Sequence, residues 1–299
     1  MTVDIEAART FIRTNARIIE QRLAEFHLDG DATAAAAAIA GLEAYRNRDG
    51  GFGHGLEPDA LAPDSQPLAV DSAFGILDEV ARSTSDPSIR MRAADAARVT
   101  MPYLDSVSSA DGGLSIVFPS VAAHPRADHW GDGVFAPGLN PTSKIVGIAR
   151  TLGVEHPWLD RAAAFCRAAI DTPESVGDAH TAICVLPFLE TDADRAWAAK
   201  ASDDLRSRIT ELPLFKEMPG PDYGLSPLDF AESPESPRRE LFSDVSIAAH
   251  LDDLAAGQQD DGGWPLGWEP PGHASVLAWR GAVTLHALRV LRAYGRIAR

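Results

Sequence analysis

The chain contains very little cysteine, with only Cys166 and Cys184 among its 299 residues. A framework of several disulfides, as in small secreted domains, is therefore excluded. Both cysteines lie in apolar segments with helical spacing, which favours buried free thiols. The first residues also lack the basic stretch and the apolar core of a secretory signal. We therefore expect a cytoplasmic protein.

Long apolar runs and an excess of positive charge are also missing. Without a run of about 18 apolar residues, we expect no integral membrane segment. The chain has 43 acidic and 27 basic residues, which gives a net charge of −16. Nucleic acids are bound by basic surfaces, so we expect no nucleic-acid partner. The length suits one large domain or two smaller ones.

No segment alternates between apolar and polar residues as a half-buried strand does. Apolar residues instead recur at three-to-four spacing, which predicts about ten helices. The predicted helices cover residues 4–27, 32–45, 68–80, 87–104, 144–152, 157–170, 174–190, 192–211, 239–256 and 273–292. Long irregular segments, rich in glycine and proline, are predicted at about 46–67, 108–139, 212–237 and 257–272.

A short glycine motif occurs three times between predicted helices. Its copies are Asp49-Gly-Gly-Phe52, Asp111-Gly-Gly-Leu114 and Asp261-Gly-Gly-Trp264. Aspartate and glycine suit a tight turn between two helices. The large apolar residue that follows is suited to fill the gap between adjacent helix pairs. Helix pairs joined by repeated turns predict an all-α repeat architecture.

The third copy, Gln259-Asp-Asp-Gly-Gly-Trp264, resembles the glutamine–tryptophan repeat of the terpene cyclase and protein prenyltransferase superfamily. The resemblance covers most of the chain, from about residue 30 to 295. It implies a single domain over residues 1–299, folded as an all-α, α/α toroid of five to six helix pairs. It also implies a terpene-cyclase-like lyase or isomerase that acts on a small, isoprenoid substrate in a central cavity.

Two motifs of that superfamily are missing. The Asp-x-Asp-Asp acid of its class II cyclases is absent, and the nearest match, Asp192-Ala-Asp-Arg195, is predicted to cap a helix. The Asp-x-Cys spacing of the prenyltransferase zinc site is also absent, so we expect no metal and no cofactor. Two alternatives stay open: a carbohydrate-active α/α-barrel hydrolase, lyase or epimerase with paired carboxylates, and a non-catalytic toroid that binds a ligand or partner. The sequence leaves the oligomeric state open.

The second half of the first irregular segment holds the best candidates for catalysis. Glu57 and Asp59 are two residues apart, so an extended chain would point both carboxylates to one side. Two close carboxylates raise the pKa of one of them, which yields a proton donor at neutral pH. His54 is suited to share this proton transfer. We predict Glu57, Asp59 and His54 as catalytic residues.

Asp71, in the helix that follows, is a fourth catalytic candidate. If the irregular segment folds back, Asp71 faces the same region. A buried aspartate needs a partner such as Arg46 or Arg48. The alternative is a solvent-exposed helix position.

Substrate-binding candidates come from three of the irregular segments. Aromatic side chains suit both carbocations and sugar rings. The predicted substrate-binding residues are Arg48, His129, Trp130, Trp268 and Glu269.

Overall fold

The computed structural model describes residues 3–298, apart from the side chain of Pro173. In this range the chain forms twelve α-helices and no β-strand, so the predicted all-α class is confirmed. The helices are α1 Ile5–Asn15, α2 Ile18–Asp29, α3 Ala32–Leu42, α4 Pro67–Ser83, α5 Pro87–Val107, α6 Leu139–Thr151, α7 Pro157–Ile170, α8 Ala179–Thr191, α9 Arg195–Arg206, α10 Pro227–Phe230, α11 Asp244–Ala256 and α12 His273–Ala293. None of these helices is long and apolar enough to cross a membrane.

Capping side chains decide where several helices begin. α7 covers Pro157–Ile170 as predicted, and the His156 ring accepts the N–H two residues further on. α8 begins at Ala179 and not at residue 174, because Asp178 accepts the N–H of Thr181 at 2.7 Å. An N-cap of this kind satisfies a backbone donor that the first turn leaves unpaired.

The prediction of one helix over residues 4–27 is wrong. The chain is extended at Ala16 and Arg17, with ψ of 159° at both, and this link separates α1 from α2. A Cβ on Gly281 of α12 would lie 2.5 Å from the Ala16 Cβ. The link therefore lies where α12 comes closest, and both short helices pack against α12.

Residue contacts divide the chain into two compact units. Unit 1 combines the chain up to residue 38 with the chain from residue 210 onwards, and unit 2 is Ile39–Ile209. In unit 1, α12 packs against α1, α2 and α11, while α10 packs against α11. The first and last helices of the chain are therefore neighbours within one unit.

Unit 2 is built as two rows of helices. α6 packs between α4 and α8, while α5, α7 and α9 pack on α4, α6 and α8 in turn. α6 and α8 approach each other closely at Gly147. A Cβ on this residue would lie only 2.5 Å from the Pro187 carbonyl carbon. The candidate catalytic residues of the sequence analysis all belong to this unit.

The three glycine motifs fold into the same turn. In each copy the residue two positions before the aspartate donates its N–H to the second glycine and accepts the N–H of the first. These bonds are Asn47 to Gly51 and Gly50 to Asn47, Ser109 to Gly113 and Gly112 to Ser109, and Gln259 to Gly263 and Gly262 to Gln259, at 2.9–3.0 Å. The prediction that the motifs are copies of one turn is confirmed.

The first glycine of each turn cannot be replaced without strain. Its φ is +89° at Gly50, +95° at Gly112 and +90° at Gly262, a region that side chains disfavour. A Cβ there would lie 2.4–2.8 Å from backbone atoms of a neighbouring helix. The residues that follow the two glycines, Phe52, Leu114 and Trp264, are at most 2% exposed. Each turn thus brings the chain against a neighbouring helix and buries one large side chain.

Candidate functional site

Glu57 and Asp59 lie in a turn and not in an extended segment. The Ala60 N–H donates to the Glu57 carbonyl at 3.0 Å, and Pro58 occupies the second position of this turn. The argument that an extended chain aligns the two carboxylates is therefore wrong. Both residues are nevertheless buried, with 9% of Glu57 and 8% of Asp59 exposed.

The second irregular segment covers this turn. The Ala127 N–H donates to the Asp59 carbonyl at 2.9 Å, and the Leu61 N–H donates to the Pro125 carbonyl at 3.0 Å. The Gln66 side chain adds a donor and an acceptor to the same segment. These bonds hold the Glu57 turn against residues 116–131, which explains how two carboxylates become buried in a loop.

Asp71 is buried in α4, and its partner is Lys144 of α6. The Lys144 Nζ donates to Asp71 Oδ2 at 2.7 Å. The proposed pairing with an arginine is wrong, because the Arg46 guanidinium binds the Thr100 hydroxyl and two backbone carbonyls. Arg48 is exposed. The alternative of a solvent-exposed Asp71 is also wrong, since only 8% of the residue is exposed.

Lys144 is closely surrounded, yet 28% of its side chain is accessible to solvent. Burial alone would lower its pKa, but the Asp71 carboxylate, helped by Glu57, outweighs burial and raises the pKa to about 12. The side chain is therefore an ammonium ion at any physiological pH. It is suited to donate hydrogen bonds and to stabilise negative charge, and it is unsuited to accept a proton.

Glu57 is joined to the same group through Ser72. The Ser72 hydroxyl, one residue after Asp71 in α4, donates to Glu57 Oε2 at 2.7 Å. We call Glu57, Asp71, Ser72 and Lys144 the Lys144 site. It brings together two of the predicted catalytic carboxylates and adds an ammonium and a hydroxyl.

One acceptor of the site remains unused. Within residues 3–298 no group donates a hydrogen bond to Asp71 Oδ1, although this atom is buried. A buried carboxylate oxygen without a donor is costly, so it calls for a donor from outside the chain. The Cys184 thiol lies nearby, but burial raises its pKa well above the ordinary value, so it is a neutral thiol and not a nucleophile.

Three other predicted residues lie on or near the surface of unit 2. His54 is exposed, and its Nε2 lies 3.0 Å from Asn47 Oδ1 in the glycine turn. His129 is exposed and packs its ring against Trp130, with ring centroids 4.3 Å apart. Trp130 in turn packs on a small apolar cluster that includes Val117 and Val121. None of these contacts involves the Lys144 site.

Trp268 and Glu269 belong to unit 1. Trp268 makes edge-to-face contacts with Tyr223 and Trp279, with centroids 5.6 and 5.2 Å away. Glu269 is exposed. Trp268 therefore belongs to an aromatic group within unit 1, which we describe apart from the Lys144 site.

Lys144 and Ser72 were not predicted from the sequence. A signal for Lys144 was present, since only three of the 27 basic residues are lysines, at positions 144, 200 and 216. A lysine just before the apolar run Ile145–Ala149, in a chain that otherwise uses arginine, indicates a place where a compact ammonium is required. Ser72 carries no comparable signal.

Comparison with known proteins gives no assignment: no protein-family model matches the chain, and no curated protein is significantly similar to it. Among the described residues, no three His, Cys, Asp or Glu side chains are grouped as a metal site requires. The function is therefore argued from the Lys144 site itself.

Proposed function

We propose that the protein is an isomerase, epimerase or lyase that transfers protons on a small, polyhydroxylated substrate at the Lys144 site. The observation that carries this proposal is the group of two buried carboxylates around the ammonium of Lys144, whose side chain is 28% exposed. A site for an isoprenoid is expected to have apolar and aromatic walls. A charged site of donors and acceptors favours a carbohydrate-like substrate over the terpene alternative.

The roles follow from the charges. The Glu57 carboxylate removes a proton from a carbon next to a carbonyl, and the bonding electrons move to the carbonyl oxygen. The Lys144 ammonium donates a hydrogen bond to that oxygen and stabilises its developing charge. Asp71 positions Lys144, and Ser72 orients Glu57. The protonated Glu57 then returns its proton to the neighbouring carbon, which gives isomerisation, or passes it to a neighbouring hydroxyl, which leaves as water. A proton that solvent delivers to the opposite face of the carbon gives the epimer.

Lys144 also distinguishes among the carbohydrate reactions. A glycoside hydrolase needs one carboxylic acid and one carboxylate on opposite sides of a glycosidic bond. An ammonium held between two carboxylates does not serve that reaction, but it is suited to an enolate. This favours proton transfer at carbon over hydrolysis.

We also propose an α/α toroid as the architecture and the cytoplasm as the location. The three equivalent turns, the two helix rows of unit 2 and the neighbouring first and last helices of unit 1 support an α/α toroid. A single domain over residues 1–299 belongs to the same proposal. The scarcity of cysteine supports a cytoplasmic location.

Deuterium exchange tests the reaction. The protein is incubated in D₂O with a panel of aldoses, ketoses and sugar acids, and with prenyl diphosphates for comparison. We expect one sugar of the panel to lose a C–H signal in its proton NMR spectrum. Glu57→Gln, which keeps an acceptor for Ser72, should abolish this loss, whereas Ser65→Ala, in the glycine-turn network, should retain it. Exchange that is unchanged in Glu57→Gln, or that occurs only with prenyl diphosphates, would refute the proposal.

A further inference from the structure

Gly75 is an unusual residue for the middle of α4. A glycine inside a helix costs about 1 kcal/mol relative to alanine, so its presence there requires a reason. Its φ is not in the left-handed region, so the backbone conformation does not require glycine. Gly75 is also half-buried and not fully enclosed.

Two other helical glycines, Gly147 and Gly281, have a steric reason that Gly75 lacks. A Cβ on Gly147 or Gly281 would lie 2.5 Å from atoms of a neighbouring helix. Within the described part of the chain, the one atom that a Cβ on Gly75 would approach within 4 Å is Lys144 Nζ, at 3.9 Å. The missing side chain therefore leaves space beside an ammonium ion and not beside a backbone.

Asp71 and Gly75 are four residues apart, and so they are neighbours on one face of α4. Lys144 Nζ donates one hydrogen bond to Asp71 and lies over Gly75. An ammonium has three N–H donors, so this contact uses only one of them. Asp71 thus fixes the ammonium, and Gly75 leaves it uncovered on the adjoining turn.

The charge around Lys144 restricts what binds in this space. Two carboxylates, Asp71 and Glu57, face one ammonium, so the group as a whole is negative. A phosphate or a free carboxylate would be repelled by both acids. A neutral vicinal diol matches the group better, because one oxygen accepts from Lys144 while a hydroxyl hydrogen is donated to the unused Asp71 Oδ1.

We propose that Gly75 is a specificity-determining residue that keeps the Lys144 ammonium open to an oxygen of a neutral vicinal diol, as found in a sugar. This inference deepens the proposed function and rests on it for the location of the site, but it does not require turnover. Gly75→Leu should close the space, because leucine keeps the helix and places a branched side chain over the ammonium. Gly75→Ala adds only a methyl at ordinary contact distance from Nζ.

Lysine NMR provides the test. Because the chain has three lysines, protein labelled with ¹³C at the lysine ε-carbon gives three signals, which Lys200→Arg and Lys216→Arg assign. D-Glucose, D-mannose and D-fructose are the neutral probes, and inorganic phosphate is the anionic probe. We expect a neutral sugar to shift the Lys144 signal and to leave the Lys200 and Lys216 signals in place. Gly75→Leu should weaken this binding about tenfold or more, and Gly75→Ala should weaken it less.

The possible outcomes are distinct. A Lys144 signal that responds to phosphate and not to sugars, or to no probe at all, overturns the ligand class. Sugar binding that is as strong in Gly75→Leu as in the wild type overturns the role of Gly75. Sugar binding without deuterium exchange would refute the proposed reaction and leave the role of Gly75 in sugar binding standing. Deuterium exchange that is as fast in Gly75→Leu as in the wild type would refute the role of Gly75 and leave the proposed reaction standing.

Discussion

At the scale of single residues, the Lys144 site depends on one ion pair between two helices. Asp71 holds the Lys144 ammonium against the tendency of burial to discharge it. Within this pair, 28% of the Lys144 side chain is exposed. The structural and the chemical role of Lys144 therefore rest on one partner, and each is tested by changing that partner.

We expect Lys144 to titrate at a higher pH than an ordinary lysine. The pKa of Lys144 is raised from 10.5 to about 12, because Asp71 outweighs burial. Asp71→Asn removes the negative partner and keeps the burial, so the pKa of Lys144 should fall below its value in the wild type. The lysine ¹³Cε signals followed against pH measure both proteins. A Lys144 signal that titrates at 10.5 or below in the wild type would contradict this prediction.

The same shift predicts a pH dependence of stability. A group whose pKa is raised on folding stabilises the folded state, and this stabilisation is fully present at any pH below the pKa of the unfolded state. That contribution is lost as the pH rises through the folded pKa, here between about 10.5 and 12. We expect urea unfolding to show a loss on the order of 1–2 kcal/mol over this range in the wild type. The loss should be smaller in Asp71→Asn. An equal loss in both proteins would show that the pair is not its cause.

Replacing one partner of the Asp71–Lys144 pair should cost more stability than replacing both. Lys144→Met leaves the Asp71 carboxylate buried without its cation, which is expected to destabilise the fold by about 3–5 kcal/mol. Adding Asp71→Leu to this variant removes the unpaired charge and should restore most of the lost stability. Urea denaturation of the two single variants and the double variant gives the coupling. Strictly additive losses would argue against a direct interaction.

At the scale of structural elements, local signals in the sequence predict some boundaries and miss others. The bounds of α7 are predictable because a proline begins the helix. The break at Ala16 is not predictable, since it lies where α12 approaches from far along the chain. Lys144 and Asp71 are 73 residues apart, so no sequence spacing relates them. Glu57 was predicted from its spacing to Asp59, and Asp71 from its place in the helix that follows the glycine-rich segment, whereas their partners depend on tertiary packing.

The glycine turns allow a matched pair of substitutions. Gly112 has a φ of +95°, and a Cβ there would lie 2.5 Å from the Ala162 backbone nitrogen. Gly153 has a φ of +69°, and no described atom lies within 4 Å of its Cβ position. Gly153→Ala should therefore cost only the left-handed conformation, about 1–2 kcal/mol. Gly112→Ala should cost about 1–3 kcal/mol more, because the turn must also move away from α7. Chemical denaturation compares the two, and equal costs would contradict the close approach.

At the scale of the whole molecule, the property that matters is the net charge. A net charge of −16 on 299 residues gives long-range repulsion that favours expansion of the chain. Individual ion pairs oppose it, among them the exposed pairs of Arg98 with Asp95 and of Arg161 with Asp105. Exposed pairs each contribute little, so the long-range repulsion is expected to dominate the response to salt.

This balance predicts how the melting temperature depends on salt and pH. At neutral pH, salt at physiological concentration screens charges beyond about 8 Å, so the repulsion weakens and the melting temperature should rise. Near pH 4.9, the isoelectric point given by the sequence, the net charge vanishes and the same salt should have little or no stabilising effect. Calorimetry at low and physiological salt at both pH values measures the four conditions, with a neutral osmolyte as the control for non-ionic effects. A lower melting temperature on adding salt at neutral pH would mean that the ion pairs outweigh the net charge.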